Sequence, residues 1–539
     1  MSETKSSSAS AAERPAEKRA RVNPRSNFPH SGRRSPSSTT PADMEPVRIN
    51  PWYLTDEFAK PYREAYTNMD LNETRMISQP SGTGEGIIVA SPFHTGKLRN
   101  VLPKEFLLGL KDELRGLSWH RRSNDLYSFN QTDDLALNSM KHIKALRDYL
   151  AGEEFVGFME RITGIELTRG YLDLAAQRYK KGDHLLCHDD DVHRGKLARK
   201  IAYIIYLVDE DWSAEDGGAL GLFGNDENRY PTKVVERIVP EFNSIGFFLT
   251  GLVSYHTVEE VTVRKEAGER WSVTGWFYGP VTPGVTPDAA HMPALPPSVV
   301  PTASTLESAC DSGSEDNDRA EWAKWISADY LKASVQEQVQ NTFLEQSSVE
   351  LRDFLRADVY EKITSELNSE YWAKAKLQGP AHVRQYLEAD TSSAAAPTVG
   401  EVAKFLRSTC FARLLASLTS LDLVGGSQEV RKFEHGHYTL IHDQALEPNG
   451  LDAILSLLPK RKDKSGEGDN WNESWGGATH YIADKDELLR IYPEINSLSL
   501  VLRDEGTLRF VKYLNHMAED MRQEISMVYT EEMSSEDSM

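Results

Sequence analysis

Apolar residues recur at helical spacing in two stretches of the chain, residues 104–117 and 137–162. From about residue 171 the pattern changes to short runs of aromatic and β-branched residues bounded by turn-forming residues. The runs predict strands at 201–208, 219–223, 234–239, 244–249, 254–263 and 271–278. Short strands at such spacing are typical of a sandwich or jelly roll, so we expect a mostly β fold with flanking helices, an α+β arrangement.

The same order of patterns occurs again farther along the chain. Residues 320–377 and 402–421 have amphipathic helical spacing, and strand-like segments follow from 430 to about 529. The stretch before them is rich in Pro, Ser and Ala and ends in an acidic run, which buries too little apolar surface to pack. We therefore predict a disordered basic tail at 1–48, a first domain at 49–282, a disordered linker at 283–319, a second domain at 320–530 and an acidic tail at 531–539.

Comparison of the two halves indicates an internal duplication. Four short segments match in the same order, and the offset between the copies stays between 252 residues (270 to 522) and 259 residues (217 to 476). A nearly constant offset is expected from two copies of one fold with small loop differences. The matched segments are 178–190 with 432–444, 217–219 with 476–478, 240–244 with 493–497 and 270–274 with 522–526.

A candidate metal site lies in the first copy. His188 and Asp190 are two residues apart in an extended segment, so we expect their side chains on one face. His256 follows on another predicted strand. Two imidazoles and one carboxylate form the facial triad of non-haem Fe(II) oxygenases, which leaves coordination positions open for a co-substrate and O₂.

The second copy differs at these positions, where it has His442, Gln444 and Arg509. Glutamine supplies no negative charge and arginine supplies a positive one, so this site should not bind iron. We predict that the second copy is a degenerate and catalytically inactive version of the first.

A candidate anchor for a co-substrate follows the metal site. Arg270 begins the segment 270–276 and would place a guanidinium at the start of a strand, where it is suited to bidentate binding of a carboxylate. A dicarboxylate co-substrate would be held there. Tyr179 and Tyr206 could donate phenolic hydrogen bonds to the same ligand. Arg264 is an alternative to Arg270 for this role.

The charge balance restricts the class of partner. The 61 Lys and Arg residues against 82 Asp and Glu residues give a formal net charge of −21, which disfavours direct binding to nucleic acid and to anionic membranes. Three cysteines form neither a disulfide framework nor a CxxC zinc pattern, which indicates a reducing compartment. Basic residues between positions 14 and 34 could direct the protein to the nucleus, so we expect it in the nucleus and cytoplasm.

Three motifs resemble those of a known family: residues 125–135 (DLYSFNQTDDL), 185–190 (LLCHDD) and 270–276 (RWSVTGW). From about residue 106 to the C-terminus, the sequence is similar to the Fe(II)- and 2-oxoglutarate-dependent ribosomal-protein prolyl 3-hydroxylases and prolyl 3,4-dihydroxylases, of fungal or algal type. The resemblance implies tandem double-stranded β-helix (jelly-roll) domains, of which the second is metal-free.

The resemblance also implies roles for the candidate residues. His188, Asp190 and His256 would ligate Fe(II), and Arg270 would hold the distal carboxylate of 2-oxoglutarate with help from Tyr206 and Tyr179. The implied cofactors and co-substrates are Fe(II), 2-oxoglutarate and O₂, with ascorbate as reductant.

The implied reaction is hydroxylation of a prolyl residue, at C3 and with C4 left open, in a basic small-subunit ribosomal protein at the decoding centre. Such a modification would affect translation accuracy or termination. Two alternatives remain: an oxygen-sensing binding protein whose C-terminal domain docks a transcription or mRNA factor, and a nucleic-acid demethylase. The second is weaker, because the folded regions have no basic stripe with interleaved aromatic residues. The sequence does not distinguish whether the second copy docks a partner or supports the first copy.

Overall fold

The computed structural model describes residues 46–68, 70, 73–80, 82–265, 268–281, 304–307, 315–441, 449–459, 471–484 and 486–531. In the first half the helices are α1 (Asp56–Thr67), α2 (Lys104–Arg115), α3 (Lys141–Leu150) and α4 (Glu153–Thr163). The strands of this half are β1 (Arg75–Ser78), β2 (Glu85–Val89), β3 (Thr95–Arg99), β4 (His120–Ser123), β5 (Tyr127–Gln131), β6 (Ala175–Tyr179), β7 (His184–His188), β8 (His193–Arg194), β9 (Leu197–Tyr206), β10 (Leu220–Asn225), β11 (Pro231–Ile238), β12 (Ser244–Leu249), β13 (His256–Val258) and β14 (Arg270–Pro280).

In the second half the helices are α5 (Glu315–Trp325), α6 (Ala333–Gln346), α7 (Ala357–Glu366), α8 (Ser369–Trp372), α9 (Pro397–Leu406) and α10 (Thr409–Thr419). The strands are β15 (Ser304–Thr305), β16 (Ser348–Leu351), β17 (Lys376–Gln378), β18 (Arg384–Ala389), β19 (Leu423–Phe433), β20 (Tyr438–Thr439), β21 (Gly450–Ser456), β22 (Thr479–Ala483), β23 (Asp486–Ile491), β24 (Ser497–Arg503), β25 (Thr507–Val511) and β26 (Arg522–Glu531).

The first half folds as a jelly roll with antiparallel strands. The strand order is β1-β2-β3-β12-β9-β14-β6-β5-β7-β13-β10-β11. Side chains of β9 and β12 pack against side chains of β10, so β12-β9-β14-β6 and β7-β13-β10-β11 form two facing walls. Helices α2, α3 and α4 cover the outer face of the first wall, where Leu107, Ile143 and Phe158 join one core with Tyr203 and Val273.

The second half repeats this arrangement. Its strands pair in the order β24-β21-β26-β19, which matches β12-β9-β14-β6, and β23-β22-β25 matches β11-β10-β13. Helices α9 and α10 pack on β21 and β26 through an apolar core that includes Val402, Leu415, Leu455 and Ile525. The mostly β, jelly-roll fold expected from the sequence is therefore confirmed.

Several elements differ from the sequence expectation. The helical pattern at 137–162 forms two helices, since α3 ends before Gly152 and α4 begins at Glu153. The segment 254–263 contributes only the short strand β13. Strands β1, β2 and β3 pair as successive hairpins and extend the first wall. The sequence did not predict them, because their Gly-rich and polar residues show little alternation of apolar and polar positions.

The expected linker at 283–319 is partly structured. Strand β15 pairs with β19, and α5 begins at Glu315. Asp318 is buried in this helix because its carboxylate pairs with Arg413 at 2.5 Å. The expected tails, apart from residues 46–48 and 531, lie outside the described residues. None of the helices in the described part of the chain combines the length and apolar character needed to cross a bilayer.

Candidate active site

The three candidate metal ligands lie together inside the first jelly roll. Strands β7 and β13 are antiparallel neighbours with His188 directly opposite His256, and their ring centroids are 4.2 Å apart. Asp190 follows two residues after His188, with its Oδ1 3.6 Å from His188 Nε2 and its Oδ2 3.3 Å from His256 Nε2. Each residue offers one ligand atom, a histidine nitrogen or a carboxylate oxygen, and these three atoms all lie within 4.8 Å of one another.

The hydrogen bonds of the two histidines leave the correct nitrogens available to a metal. His188 Nδ1 is 2.7 Å from the carbonyl oxygen of Leu186, and His256 Nδ1 is 2.8 Å from that of Ser254. A carbonyl oxygen only accepts, so each Nδ1 donates to its carbonyl and each Nε2 is the nitrogen that faces Asp190. Two imidazoles and one carboxylate are the donor set that suits Fe(II).

The protonation states agree with ligation. Burial lowers the pKa of His188 to about 4, so its ring is neutral at physiological pH. Burial opposes ionisation of Asp190, but the adjacent histidines and Arg199 hold its pKa below the ordinary value. The site therefore offers one negative charge to a divalent cation.

The predicted reason for the position of Asp190 is wrong. Strand β7 ends at His188, and Asp190 adopts a left-handed backbone conformation with φ of 60°, so the two residues do not lie on one extended segment. The turn, rather than strand alternation, brings the carboxylate back to the two imidazoles.

Two residues that sequence reasoning missed hold the Asp190 carboxylate. Trp276 Nε1 donates to Asp190 Oδ2 at 3.0 Å. The buried Arg199 guanidinium stacks on the Trp276 ring and lies 3.8 Å from Asp190 Oδ1. Strand alternation was the available signal, because Trp276 is six residues after Arg270 and shares its face of β14.

Arg270 is fully buried at the start of β14, opposite Tyr179 on β6. Its Nε donates to the Gly218 carbonyl oxygen at 2.7 Å, and its Nη1 is 3.4 Å from Ser272 Oγ. Its Nη2 has no hydrogen-bond partner among the described residues. A buried guanidinium nitrogen without a partner is costly, so the position fits a carboxylate supplied by a ligand.

The two tyrosines differ in their availability. Each ring centroid is 5.1 Å from the Arg270 guanidinium carbon. Tyr179 Oη already donates to Gln177 Oε1 at 3.1 Å, whereas Tyr206 Oη has no hydrogen-bond partner among the described residues. Burial raises the pKa of Tyr206, so its hydroxyl remains a donor. Tyr206 is thus the better placed of the two to bind the same carboxylate.

Arg264 does not share this position. Its Nε and Nη2 donate to the two carboxylate oxygens of Asp216 at 2.9 and 2.7 Å, and its side chain is 45% exposed. The geometry therefore favours Arg270 over Arg264 as the carboxylate anchor.

The second copy has a different set of residues at the equivalent metal position. Leu222 lies opposite His256 in the first copy, and Tyr481 lies opposite Arg509 in the second, so Arg509 holds the place of His256. Arg509 pairs with the buried Asp452 at 2.9 Å. His442 and Gln444, the predicted counterparts of His188 and Asp190, lie outside the described residues.

Comparison with known proteins gives the family. The model of a family described as 2OG-Fe(II) oxygenase superfamily matches residues 174–278. The model of a second family, described as oxoglutarate and iron-dependent oxygenase degradation C-term, matches residues 317–537.

Curated relatives span most of the chain. The Xenopus laevis prolyl 3-hydroxylase OGFOD1 is 34% identical over 452 residues, covering 77% of this chain and 81% of that protein. The Mus musculus prolyl 3-hydroxylase OGFOD1 is 29% identical over 550 residues, covering 88% and 94%. Among solved structures, a Pseudomonas putida prolyl-4-hydroxylase is similar at 20% identity and a TM-score of 0.27, over 34% of this chain and 91% of that one. The chain belongs to the prolyl 3-hydroxylase family, and it is a dioxygenase enzyme that uses Fe(II), 2-oxoglutarate and O₂.

Proposed function

We propose that the enzyme hydroxylates C3 of a prolyl residue in a basic small-subunit ribosomal protein at the decoding centre, which would affect translation accuracy or termination. The observation that carries the catalytic part is the pairing of the His188, Asp190 and His256 cluster with the unpartnered Arg270 Nη2 inside one jelly roll. Curated relatives named prolyl 3-hydroxylase support the choice of C3. A second hydroxylation at C4 stays open.

In this proposal His188, Asp190 and His256 hold the iron, and Arg270 and Tyr206 hold the distal carboxylate of 2-oxoglutarate. With both bound, the iron would supply the oxidative decarboxylation of 2-oxoglutarate by O₂ to succinate and CO₂, with one oxygen atom going to succinate and the other to the prolyl hydroxyl. Ascorbate would keep the iron reduced between turnovers.

The protein's own residues orient these groups and exclude water. Strand β14 carries Arg270 at its start and contacts Asp190 through Trp276, so one strand sets the positions of both ends of the site. All three metal ligands and Arg270 are buried, which limits water entry and strengthens each electrostatic contact. A neutral His188 and an ionised Asp190 need lose no proton before the metal binds.

The charge of the enzyme supports the class of substrate. A formal net charge of −21 attracts a basic protein over long range and raises the rate of encounter. Ribosomal proteins are basic because they bind rRNA phosphates. Such a protein would be met in the cytoplasm or, before ribosome assembly is complete, in the nucleus.

The test is mass spectrometry of small-subunit ribosomal proteins incubated with enzyme, Fe(II), 2-oxoglutarate, ascorbate and O₂. The proposal predicts a gain of one oxygen on a prolyl residue with the wild type and none with His188→Ala. His193→Ala is the matched control, because His193 is nearby in sequence but its Nε2 pairs with Asp191 at 3.3 Å. Absence of the gain with wild-type enzyme that binds Fe(II) and 2-oxoglutarate would contradict the proposed substrate.

A second candidate is an oxygen-sensing regulatory protein whose C-terminal half docks a transcription or mRNA factor. The family described as oxygenase degradation C-term, which matches residues 317–537, favours this role. Affinity capture from cells with the wild type and with His188→Ala separates the candidates. A partner held equally by both supports docking that is independent of turnover, and capture of ribosomal proteins alone counts against it.

A further inference from the structure

The strand that carries His188 contains a β-bulge. Strands β7 and β13 pair with His188 opposite His256 and Leu185 opposite Val258, so Leu186 and Cys187 together face the single residue Thr257. A bulge of this kind changes which side chains share a face. It places Leu185 and His188 on the inner face of the wall, although they are an odd number of positions apart, and it turns Leu186 and Cys187 outwards.

The outward residues of the bulge are buried by the second copy. Leu186 is 4% exposed and lies in an apolar cluster with Tyr438 and Leu440. Cys187 is 2% exposed and lies in a cluster with Ala381. The second copy therefore contributes to the burial of both bulged residues.

The residues of the second copy that contact the bulge are held together by hydrogen bonds. Tyr438 Oη donates to the Ala381 carbonyl oxygen at 2.5 Å, and the Leu440 backbone N–H donates to the Val383 carbonyl oxygen at 2.9 Å. His382, which follows Ala381, packs in a tilted arrangement against Tyr255, with ring centroids 5.3 Å apart, and Tyr255 directly precedes His256. The cover therefore touches residues adjacent to both histidine ligands.

A second contact lies at the other end of the same two strands. Glu260 of the first copy accepts hydrogen bonds from the backbone N–H of His516 at 3.0 Å and pairs with His516 Nδ1 at 2.6 Å. The Glu260 carbonyl oxygen accepts from the Gly218 N–H at 3.0 Å, and Gly218 in turn accepts from Arg270 Nε at 2.7 Å. A chain of hydrogen bonds thus joins the second copy to the carboxylate anchor.

We propose that the degenerate second copy is the positioning wall of the first copy's iron site: by burying the Leu186–Cys187 bulge, it fixes the rotation of β7 that directs His188 at the metal. The proposal rests on the assignment of the iron ligands made above. It gives the second copy a role as a support, and it makes Tyr438 and Leu440 positioning residues although neither contacts the metal cluster.

The test measures metal binding in full-length Leu440→Ala. The readouts are the Fe(II) dissociation constant under anaerobic conditions and the absorption spectrum of the Co(II)-substituted protein, which reports ligand geometry. Residues that orient metal ligands typically change affinity by about 10- to 100-fold when replaced, so we expect a loss in that range and an altered Co(II) spectrum. Leu415→Ala is the matched control, since Leu415 is also buried but lies in the second copy's own core.

Tyr438→Phe keeps the ring and removes only the hydroxyl that binds Ala381, so it provides a milder variant if Leu440→Ala fails to fold. We expect a smaller loss of Fe(II) affinity of the same kind. Folded Leu440→Ala or Tyr438→Phe with wild-type Fe(II) affinity and spectrum would overturn the proposal. Wild-type protein that binds no Fe(II), or Asp190→Ala that still binds it, would instead overturn the assignment of the ligands.

Discussion

Glu524 of the second copy occupies the position that Ser272 holds in the first. Ser272 lies two residues after Arg270 on β14, and Glu524 lies two residues after Arg522 on β26, the strand with the same place in the other jelly roll. Glu524 accepts hydrogen bonds from Arg522 Nε at 2.6 Å and from Arg431 Nε at 2.9 Å. The second copy thus supplies from its own chain a carboxylate to this arginine, whereas the first copy has Ser272 at that position and, in the proposed function, obtains the carboxylate from 2-oxoglutarate.

This relationship predicts that Ser272→Glu prevents 2-oxoglutarate binding. The new carboxylate would pair with Arg270 and fill the anchor position. Losing a buried charge pair costs about 2–5 kcal/mol, so 2-oxoglutarate affinity should fall by about 30-fold or more. Isothermal titration with 2-oxoglutarate measures the loss, and Ser272→Ala is the control, because it removes only the 3.4 Å contact with Arg270. Equal affinity in the two variants would contradict the prediction.

Arg270→Ala should raise the KM for 2-oxoglutarate by about 30-fold or more, because it removes the only buried cation that the described residues place beside Tyr206 and Tyr179. Arg264→Ala is the control, since the half-exposed Arg264 is bound to Asp216 rather than to the two tyrosines, and its loss should leave the KM unchanged. Steady-state kinetics of 2-oxoglutarate turnover distinguish the two. A larger rise in the KM for 2-oxoglutarate from Arg264→Ala than from Arg270→Ala would identify Arg264 as the carboxylate anchor.

Gly218→Ala should weaken 2-oxoglutarate binding. Gly218 has a φ of 67°, and a Cβ there would lie 2.6 Å from Arg270 Cδ, so the guanidinium must move. Gly195→Ala imposes a similar backbone strain at φ of 62°, but nothing lies within 4 Å of its Cβ. We expect at least about a tenfold higher KM for 2-oxoglutarate only in Gly218→Ala, because one buried hydrogen bond to a charged group contributes about 1.5–3 kcal/mol. Matching KM values in both variants would show that backbone strain, and not the clash with Arg270, changes 2-oxoglutarate binding.

The contact between the two copies should depend on pH through Lys512. Its ammonium donates to Ser123 Oγ at 3.3 Å and to the Tyr127 carbonyl oxygen at 3.4 Å, and burial lowers its pKa to about 8 although Asp125 opposes the shift. Between pH 8 and the ordinary lysine pKa near 10.5, the unfolded chain binds a proton that the folded chain has released. Stability from this group therefore rises with pH in that window, by at most about 1.4 kcal/mol per pH unit.

Urea unfolding of the wild type and of Lys512→Met between pH 7.5 and 10 isolates this contribution from other titrating groups. The difference in free energy of unfolding should move in favour of the wild type as the pH rises. A difference that stays constant over this range would mean that Lys512 keeps an ordinary pKa in the folded protein.

Residue types, their spacing and the contrast with the duplicate were enough to select His188, Asp190 and His256, which the structure brings together; the role of Arg270 stays a prediction. Spacing could not give the geometry. The β7 bulge depends on the register between two strands, and the left-handed conformation of Asp190 depends on the turn after them. Both are tertiary features that a period-two pattern does not encode.

The choice between Arg270 and Arg264 also required the structure. Both are arginines near the start of β14, and only burial and hydrogen-bond partners separate the surface pair with Asp216 from the unpartnered Nη2. The role of the second copy was equally hidden, since its contacts with Leu186 and Cys187 join residues that lie far apart in the chain.

The central claim is that the chain binds one iron, in the first copy, through His188, Asp190 and His256. Anaerobic titration with Fe(II), followed by measurement of bound metal, tests it in the wild type and in Asp190→Ala. The account predicts one equivalent per chain in the wild type and none in the variant. Two equivalents in the wild type, or one retained by Asp190→Ala, would contradict it.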